Sequence, residues 1–219
     1  MQALVGDASW FVDPGEEDAY REAGAAQVVT SERPLVDKRN HCLTTAWDQG
    51  LDCVMLDDDL TKLQMVPQVG QKAVLLPFST ALKLMTERLD DLGLKLCGAA
   101  TTNNAYFMRT AVSTHLFVRA PFIMVRPCEL LFDPVLRLKE DYDYTLQHWG
   151  RYGGAVRCND ILPTFRYQSG AGGAVDWRTP ALEEEAIHYL LMKWPGQVRR
   201  NPKRKHEVLL VSPRRSVLR

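Results

Sequence analysis

Apolar and polar residues follow one another in short blocks along the first sixty residues of the chain. Apolar runs at residues 9–12, 27–30 and 53–56 favour strands. Residues 16–23 and 37–48 lie between them and favour helices, each followed by a glycine. Strands that alternate with helices are typical of a parallel sheet with crossover helices. The pattern predicts a single α/β domain over residues 1–219, with a Rossmann-like, mostly parallel central sheet flanked by helices.

The rest of the chain continues this pattern and adds a small antiparallel part. Leu82, Met85 and Leu89 recur at helical spacing, which predicts a packing helix over residues 79–91. Residues 112–118 and 122–126 flank Ala120-Pro121 and predict a hairpin or two edge strands. Further strands are predicted at residues 95–100, 156–158, 161–167 and 208–211, a loop at 101–108, and helices at 139–152 and 180–193.

Three consecutive carboxylates, Asp57, Asp58 and Asp59, end the apolar run at residues 53–56. In an open α/β sheet, ligands bind beyond the carboxyl ends of the strands. Adjacent carboxylates repel one another, and oxygen ligands of this kind suit Mg²⁺ or Mn²⁺ beside a phosphate. The triplet therefore predicts a divalent-cation site. The alternative is an acidic turn or a helix N-cap, because aspartate favours both.

Composition narrows the class of protein. A chain of 219 residues with 46% hydrophobic content can bury one sizeable core. The chain has five cysteines, an odd number, and no CxxC motif. Both observations argue against a disulfide framework and a zinc site. No apolar run has membrane-spanning length, and the first residues lack the features of a secretory signal. We expect a soluble, cytoplasmic protein that does not contact a membrane.

The zero formal charge of the chain conceals a strong asymmetry. Residues 199–219 contain eight basic residues against one acid, Glu207, so this segment has a net charge of +7 and the rest of the chain −7. A basic segment beside an acidic body favours a polyanionic partner, with nucleic acid first. A solvated or disordered tail that aids solubility is the alternative. The basic residues are Arg199, Arg200, Lys203, Arg204, Lys205, Arg214, Arg215 and Arg219.

A second acidic cluster, containing Glu140 and Asp141, opens the helix predicted at residues 139–152. Acids in a first turn also suit the helix macrodipole, so a purely structural role is the alternative. In a metal-phosphate enzyme, such a group is where a general base is expected. His148 lies eight residues beyond Glu140 on the same helical face and is either a metal or substrate contact or a structural histidine.

The glycine-rich run at residues 169–173 contains Gly172 and Gly173. Such a run suits a loop that cradles phosphate or sugar or closes over them, or a simple linker. It matches neither the Walker pattern nor the Rossmann GxGxxG pattern.

Arg39-Asn40 before the acidic-ended strand, the Asp57-Asp58-Asp59 triplet and the later Glu140-Asp141 together resemble a GT-A glycosyltransferase. More specifically, residues 138–148, Arg157-Cys158-Asn159-Asp160 and the glycine-rich run up to Asp176 resemble the TET-associated glycosyltransferase family of bacteriophages. The resemblance extends over most of the chain. It implies transfer of a sugar from a UDP-sugar, such as UDP-glucose or UDP-GlcNAc, to 5-hydroxymethylcytosine or a related 5-hydroxymethylpyrimidine in phage DNA, in the cytoplasm of the infected host.

The resemblance also implies roles for individual residues. Asp57 and Asp59 would bind Mn²⁺ or Mg²⁺, with His148 or His206 as a further ligand. The nucleotide-sugar site would include six residues, Arg39, Asn40, Asp57, Asp58, Gly172 and Gly173. Asp141 or Glu140 would be the catalytic base if the transfer inverts the anomeric centre.

The basic segment would contact DNA phosphates, which predicts salt-dependent binding. The contacts would come from Arg199, Arg200, Lys203, Arg204 and Lys205, with Arg214. A base in a duplex presents its 5-substituent only in the major groove, so the enzyme would flip the nucleotide or act on a distorted or single strand. Two other functions fit the residues: a GT-A transferase with a protein, lipid or glycan acceptor, and a non-catalytic nucleic-acid-binding module.

Overall fold

The computed structural model describes residue 5 and residues 8–166 and 178–212. Within these residues the helices are α1 Glu17–Glu22, α2 Leu35–Trp47, α3 Phe78–Leu92, α4 Glu140–Tyr152 and α5 Pro180–Lys193. The strands are β1 Ser9–Val12, β2 Gln27–Thr30, β3 Cys53–Leu56, β4 Leu60–Met65, β5 Val74–Leu75, β6 Leu96–Ala99, β7 Val112–Ser113, β8 Phe122–Val125, β9 Val156–Cys158, β10 Ile161–Phe165, β11 Val198–Arg200 and β12 Val208–Leu210. A short 3₁₀ turn lies at Ala105–Phe107, inside the predicted loop.

The largest sheet has five strands in the order β3-β8-β6-β9-β7. Only β6 and β9 pair in parallel, and the other neighbours are antiparallel. The α/β class predicted from the sequence is confirmed, but the mostly parallel, Rossmann-like sheet is wrong. Because β8 runs against both β3 and β6, these two strands and β9 share one direction. Their carboxyl ends therefore lie at the same edge of the sheet.

Strand β8 is the reason for the mixed sheet. The predicted hairpin of residues 112–118 and 122–126 does not form, because β8 inserts between β3 and β6 while β7 pairs with β9. All four residues of β8 are buried. Phe122 and Met124 pack with one core cluster, and Ile123 and Val125 with the other. A run of four buried apolar residues suits a strand that lies inside a sheet with both faces covered.

Helices cover both faces of this sheet. Met85 and Leu89 of α3 are fully buried on the face of Phe122 and Met124, which confirms the packing role of that helix. Leu43 of α2 and Leu146 of α4 are fully buried in the cluster on the opposite face, together with residues of α5. The five cysteines are free, and Cys53, Cys97 and Cys158 are buried.

Three smaller sheets complete the described fold. β1 and β2 form a parallel pair, and β11 and β12 form an antiparallel hairpin in the basic segment. The third sheet is antiparallel, in the order β10-β4-β5. The sequence had predicted that β10 pairs with β9. In the structure, β10 pairs with β4 instead. Strands β4 and β5 were not predicted, because in β4 the buried residues Leu60 and Leu63 are three apart and break the alternation of a half-buried strand.

Candidate functional site

The candidate site lies at the edge where β3 and β6 end and β8 begins. The acidic triplet follows β3, and the backbone N–H of Asp57 donates to the carbonyl of Pro121, just before β8, at 2.9 Å. This bond fixes the triplet against the start of β8. A cavity of about 260 Å³ opens at the same edge. Its lining comprises residues 99–103, Arg119, Pro121, Phe122, Pro163 and Phe165.

Arg39 connects the two acidic clusters that the sequence singled out. Its side chain is buried in the middle of α2, with one guanidinium nitrogen 3.7 Å from Asp57 and another 3.4 Å from Glu140 at the start of α4. The guanidinium carbon lies 5.6 Å from the centre of the Phe132 ring. Residues separated by about one hundred positions in the chain thus meet around one cation.

Three carboxylates of the site have raised pKa values. Burial raises the pKa of Asp57 despite Arg39, and it raises the pKa of Asp59, with additional repulsion from Asp57 and Asp58. Asp141 has a pKa raised to about 7, first by burial and then by the charge of Glu140. Several shifted pKa values close to a cavity are typical of functional sites.

Arg119 is a site residue that the sequence analysis missed. It lines the cavity, and its positive charge lowers the pKa of Asp57, Asp59 and Asp141. It belongs to the irregular segment before β8 and lies far in the chain from both acidic clusters. A lone arginine in a loop carries no spacing signal, so only the tertiary structure assigns it to the site.

Asp58 and Asn40 have local partners. The Tyr20 hydroxyl donates to the carboxylate of Asp58, which is exposed. The Asn40 amide donates to the Phe132 carbonyl and accepts from the Phe132 N–H, both at 2.8 Å. Asn40 therefore ties the loop before α4 to α2. Its predicted contact with a nucleotide-sugar stays a prediction, and in this structure its amide has backbone partners.

The two histidines do not join the acids. His148 is fully buried on α4, with its ring 4.7 Å from that of Tyr144 and 5.5 Å from that of Tyr152. Eight residues of helix separate it from Glu140 by about 12 Å. Burial lowers its pKa to about 3. His206 lies beside Glu184, with 3.6 Å between Nδ1 and the carboxylate. The ligand roles predicted for the two histidines stay predictions, and the structure places His148 about 12 Å along the helix from Glu140.

Gly172 and Gly173 lie outside the described residues. Arg166, the last described residue before them, donates its backbone N–H to the carbonyl of Asp59 at 2.9 Å.

The basic segment is organised as a hairpin through residue 210. Arg199 and Arg200 belong to β11, and Lys203, Arg204 and Lys205 lie in the exposed turn before β12. The alternative of a disordered tail is wrong for this part of the segment, and Arg214 lies outside the described residues. Two of the arginines have acidic partners: Arg200 at 2.8 Å from Glu184, and Arg204 at 2.9 Å from Glu207.

One lysine fixes the hairpin beside the second acidic cluster. Lys139 directly precedes Glu140, and its ammonium donates to the carbonyl of His206 at 2.7 Å and pairs with Glu183 at 2.5 Å. Its φ of 62° is the single positive value outside glycine among the described residues. The turn with three basic residues therefore lies next to the start of α4.

The donor set fits a hard cation that is shared with a phosphate ligand. In the described part of the chain, no group of three or more His, Cys, Asp or Glu side chains is arranged to hold a metal ion. Mg²⁺ bound together with substrate phosphates needs only one or two protein carboxylates. Asp57 and Asp59, whose pKa values are both raised, would supply two carboxylates to such a cation.

No helix among the described residues is long and apolar enough to cross a membrane. Comparison with protein-family models, with curated proteins and with solved structures found no match to this chain.

Proposed function

We propose that this protein is a metal-dependent glycosyltransferase of the GT-A type. It transfers a sugar from a UDP-sugar to the hydroxymethyl group of a 5-hydroxymethylpyrimidine, such as 5-hydroxymethylcytosine, in phage DNA. The observation that carries this proposal is the meeting of both acidic clusters around Arg39, with Asp57 at 3.7 Å and Glu140 at 3.4 Å. A diphosphate donor and a base are needed at the same point, and this edge of the sheet has groups for both.

The donor side of the site consists of cations and carboxylates. Asp57 and Asp59 would hold Mn²⁺ or Mg²⁺, which would neutralise the charge that develops on the departing diphosphate. Arg39 and Arg119 have guanidinium groups that suit phosphate oxygens, and Arg119 lines the cavity beside the acids. These two arginines would orient the diphosphate and stabilise it as it leaves.

Asp141 is the better base of the two predicted candidates. Glu140 is buried and paired with Arg39, so it holds that guanidinium in place. Asp141 has a pKa raised to about 7, which suits a general base at neutral pH. In an inverting transfer, the hydroxymethyl oxygen bonds to the anomeric carbon while the bond between that carbon and the diphosphate oxygen breaks. Asp141 accepts the hydroxyl proton, and UDP leaves.

The basic hairpin supports DNA as the acceptor. Lys203, Arg204 and Lys205 form its exposed turn, and the Lys139 contact with His206 places this turn beside Glu140. Contacts with phosphates release counterions, so DNA affinity would fall steeply with salt. A flipped or single-stranded nucleotide would carry its hydroxymethyl group to Asp141.

The direct test is mass spectrometry of nucleosides from hydroxymethylcytosine-containing DNA incubated with the protein, Mn²⁺ and a mixture of UDP-sugars. We expect a mass gain of one hexose or N-acetylhexosamine. Asp59→Ala should abolish the gain. Asp91→Ala, which alters an exposed aspartate near the opposite edge of the sheet, should leave it unchanged.

Two negative results have different meanings. Metal-dependent hydrolysis of the UDP-sugar without DNA modification would move the acceptor to a protein, lipid or glycan. Neither hydrolysis nor transfer would leave a non-catalytic nucleic-acid-binding module. A triple Lys203→Gln, Arg204→Gln, Lys205→Gln variant that keeps full activity and DNA affinity at moderate salt would also contradict DNA as the acceptor.

A further inference from the structure

The segment after β6 exposes two adjacent aromatic rings to solvent. Tyr106 is 72% exposed and Phe107 is 62% exposed. The ring centres lie 5.6 Å apart in an edge-to-face arrangement at 80°. No other aromatic side chain among the described residues reaches this exposure. Single exposed aliphatic residues are ordinary on protein surfaces, whereas paired exposed aromatic rings are typical of binding surfaces.

The backbone holds both rings in place. The Asn104 side chain accepts a hydrogen bond from the Tyr106 N–H at 3.0 Å and so starts the 3₁₀ turn. On the other side, Met108 is buried in a small cluster, against which Ala105 packs. The rings therefore project from an anchored turn. Because the turn is already ordered, ligand binding would cost little conformational entropy of the loop.

A cation lies on the same surface. The Arg109 guanidinium carbon lies 5.5 Å from the centre of the Tyr106 ring, and the group donates to the Tyr106 carbonyl at 3.1 Å. The rings are also close to the candidate site in the chain, because Asn103, at the start of this segment, lines the cavity with Arg119. The surface thus combines two π faces with positive charge beside the cavity.

We infer that Tyr106, Phe107 and Arg109 form a stacking surface for an unpaired nucleobase next to the acceptor nucleotide. This inference rests on the proposed function, because the acceptor is then a pyrimidine in DNA. Bases stack on aromatic side chains in single-stranded nucleic-acid sites, and arginine adds attraction to the phosphates and to the ring faces. A base held here would keep the strand open while the neighbouring pyrimidine enters the site.

The test is fluorescence anisotropy with a labelled single-stranded oligonucleotide that contains one 5-hydroxymethylcytosine. The double variant Tyr106→Leu, Phe107→Leu keeps apolar side chains but removes both rings. We expect its affinity to fall about tenfold or more, and the loss to persist at higher salt. Tyr106→Phe keeps the ring and should bind like the wild type. Leu92→Ala changes an exposed apolar residue at the end of α3, which precedes β6, whereas the rings follow β6. This variant should also bind normally.

Stabilisation against heat by UDP with Mn²⁺, measured on the double variant, reports whether the fold and the donor site are intact. If the wild type modifies DNA and the intact double variant binds and modifies it equally well, the stacking surface is refuted and the glycosyltransferase proposal stands. If the rings govern affinity but the wild type transfers no sugar, the rings bind bases, but their place next to an acceptor nucleotide is refuted together with the glycosyltransferase proposal. Absence of any binding to the oligonucleotide refutes both.

Discussion

Two groups of aspartates in this protein contain members whose pKa values are shifted in opposite directions. Asp133 and Asp143 share the Lys193 ammonium at 2.6 Å and 2.8 Å. Although burial opposes it, Lys193 and neighbouring donors lower the pKa of Asp133. At the candidate site, Arg39 lies 3.7 Å from Asp57, and the pKa values of Asp57 and Asp141 are raised.

The difference separates acids that are paired within the fold from acids to which we assign a proposed function. A carboxylate that closely contacts a cation is satisfied within the fold and has no need of a ligand. A carboxylate with an elevated pKa stores unfavourable free energy that a metal ion, a phosphate-bound cation or a proton can relieve. The contrast supports the edge of the sheet, and not the cluster around Lys193, as the place of the proposed chemistry.

The largest expected effect is on transfer activity in Asp141→Asn. Removing the base should lower kcat by about 10²- to 10⁴-fold, measured by sugar transfer to DNA. In the wild type, kcat/KM should rise as the pH increases through about 7, because the carboxylate must be ionised to accept a proton. Asp91→Asn is the matched control. Full activity in Asp141→Asn would move the base role elsewhere.

The pH dependence of stability should have opposite signs in the two groups. The folded pKa of Asp141, about 7, lies above its unfolded value, so its contribution is present in acid and lost as the pH rises toward 7. For Asp133 the folded pKa is lowered, so its contribution is present at neutral pH and lost in acid. Urea unfolding between pH 4 and 7 should show the first trend in the wild type and not in Asp141→Asn.

Lys193→Met should cause the largest loss of stability. Asp143 is fully buried and would lose its cation, which destabilises a protein by about 3 kcal/mol. The free energy of unfolding in urea measures the loss. Lys83→Met removes an exposed pair with Glu87 and should change it by less than about 0.5 kcal/mol. Equal effects of the two variants would contradict the structural role of Lys193.

Ligand binding to the acids of the site should stabilise the folded protein, whereas the acids around Lys193 should bind no ligand. With Mn²⁺ and UDP present at about one hundred times their dissociation constant, the protein should gain about 2.7 kcal/mol of stability. Chelating the metal should remove the gain, and Asp59→Ala should never have it. A gain that survives in Asp59→Ala, measured by thermal unfolding, would exclude this aspartate as a ligand.

The smallest effects are expected from two tyrosine hydroxyls, one in each group. Tyr20 donates to Asp58, and Tyr189 donates to Asp133 at 2.8 Å. Replacing either by phenylalanine should lower stability by about 1 kcal/mol or less. Only Tyr20→Phe should reduce transfer activity, by a few-fold, since Tyr20 contacts the acidic triplet and Tyr189 contacts Asp133. Reduced activity in Tyr189→Phe at unchanged stability would contradict the separation of the two groups.

Elements with a strong local signal were predicted well. The boundaries of β1, β2, β3 and α5 agree with the sequence analysis, since glycine, proline and capping residues end those runs. Thr179 caps α5 through its side chain, and Pro180 begins the helix. The errors concern pairing partners. Nothing local in Phe122–Val125 says that the strand runs antiparallel between β3 and β6.

The residues of the candidate site also differ in whether a local sequence pattern predicts them. Asp57, Asp59, Glu140 and Asp141 could be selected from the sequence because consecutive acids at the ends of predicted elements form a visible pattern. Arg119 could not, because it is a single residue in a loop. His148 was included for its helical phase, but phase defines a face and not a distance along the axis.

The sequence by itself determined the helices, most strands, the two acidic clusters and the basic segment, since propensity, periodicity and charge depend on neighbouring residues. Only the tertiary structure decided that Arg39 joins the clusters and that Asn40 serves the backbone. It also decided that the basic hairpin lies beside Glu140. These relations depend on long-range strand order and helix packing, in which burial of apolar surface brings together residues that carry no mutual signal in the chain.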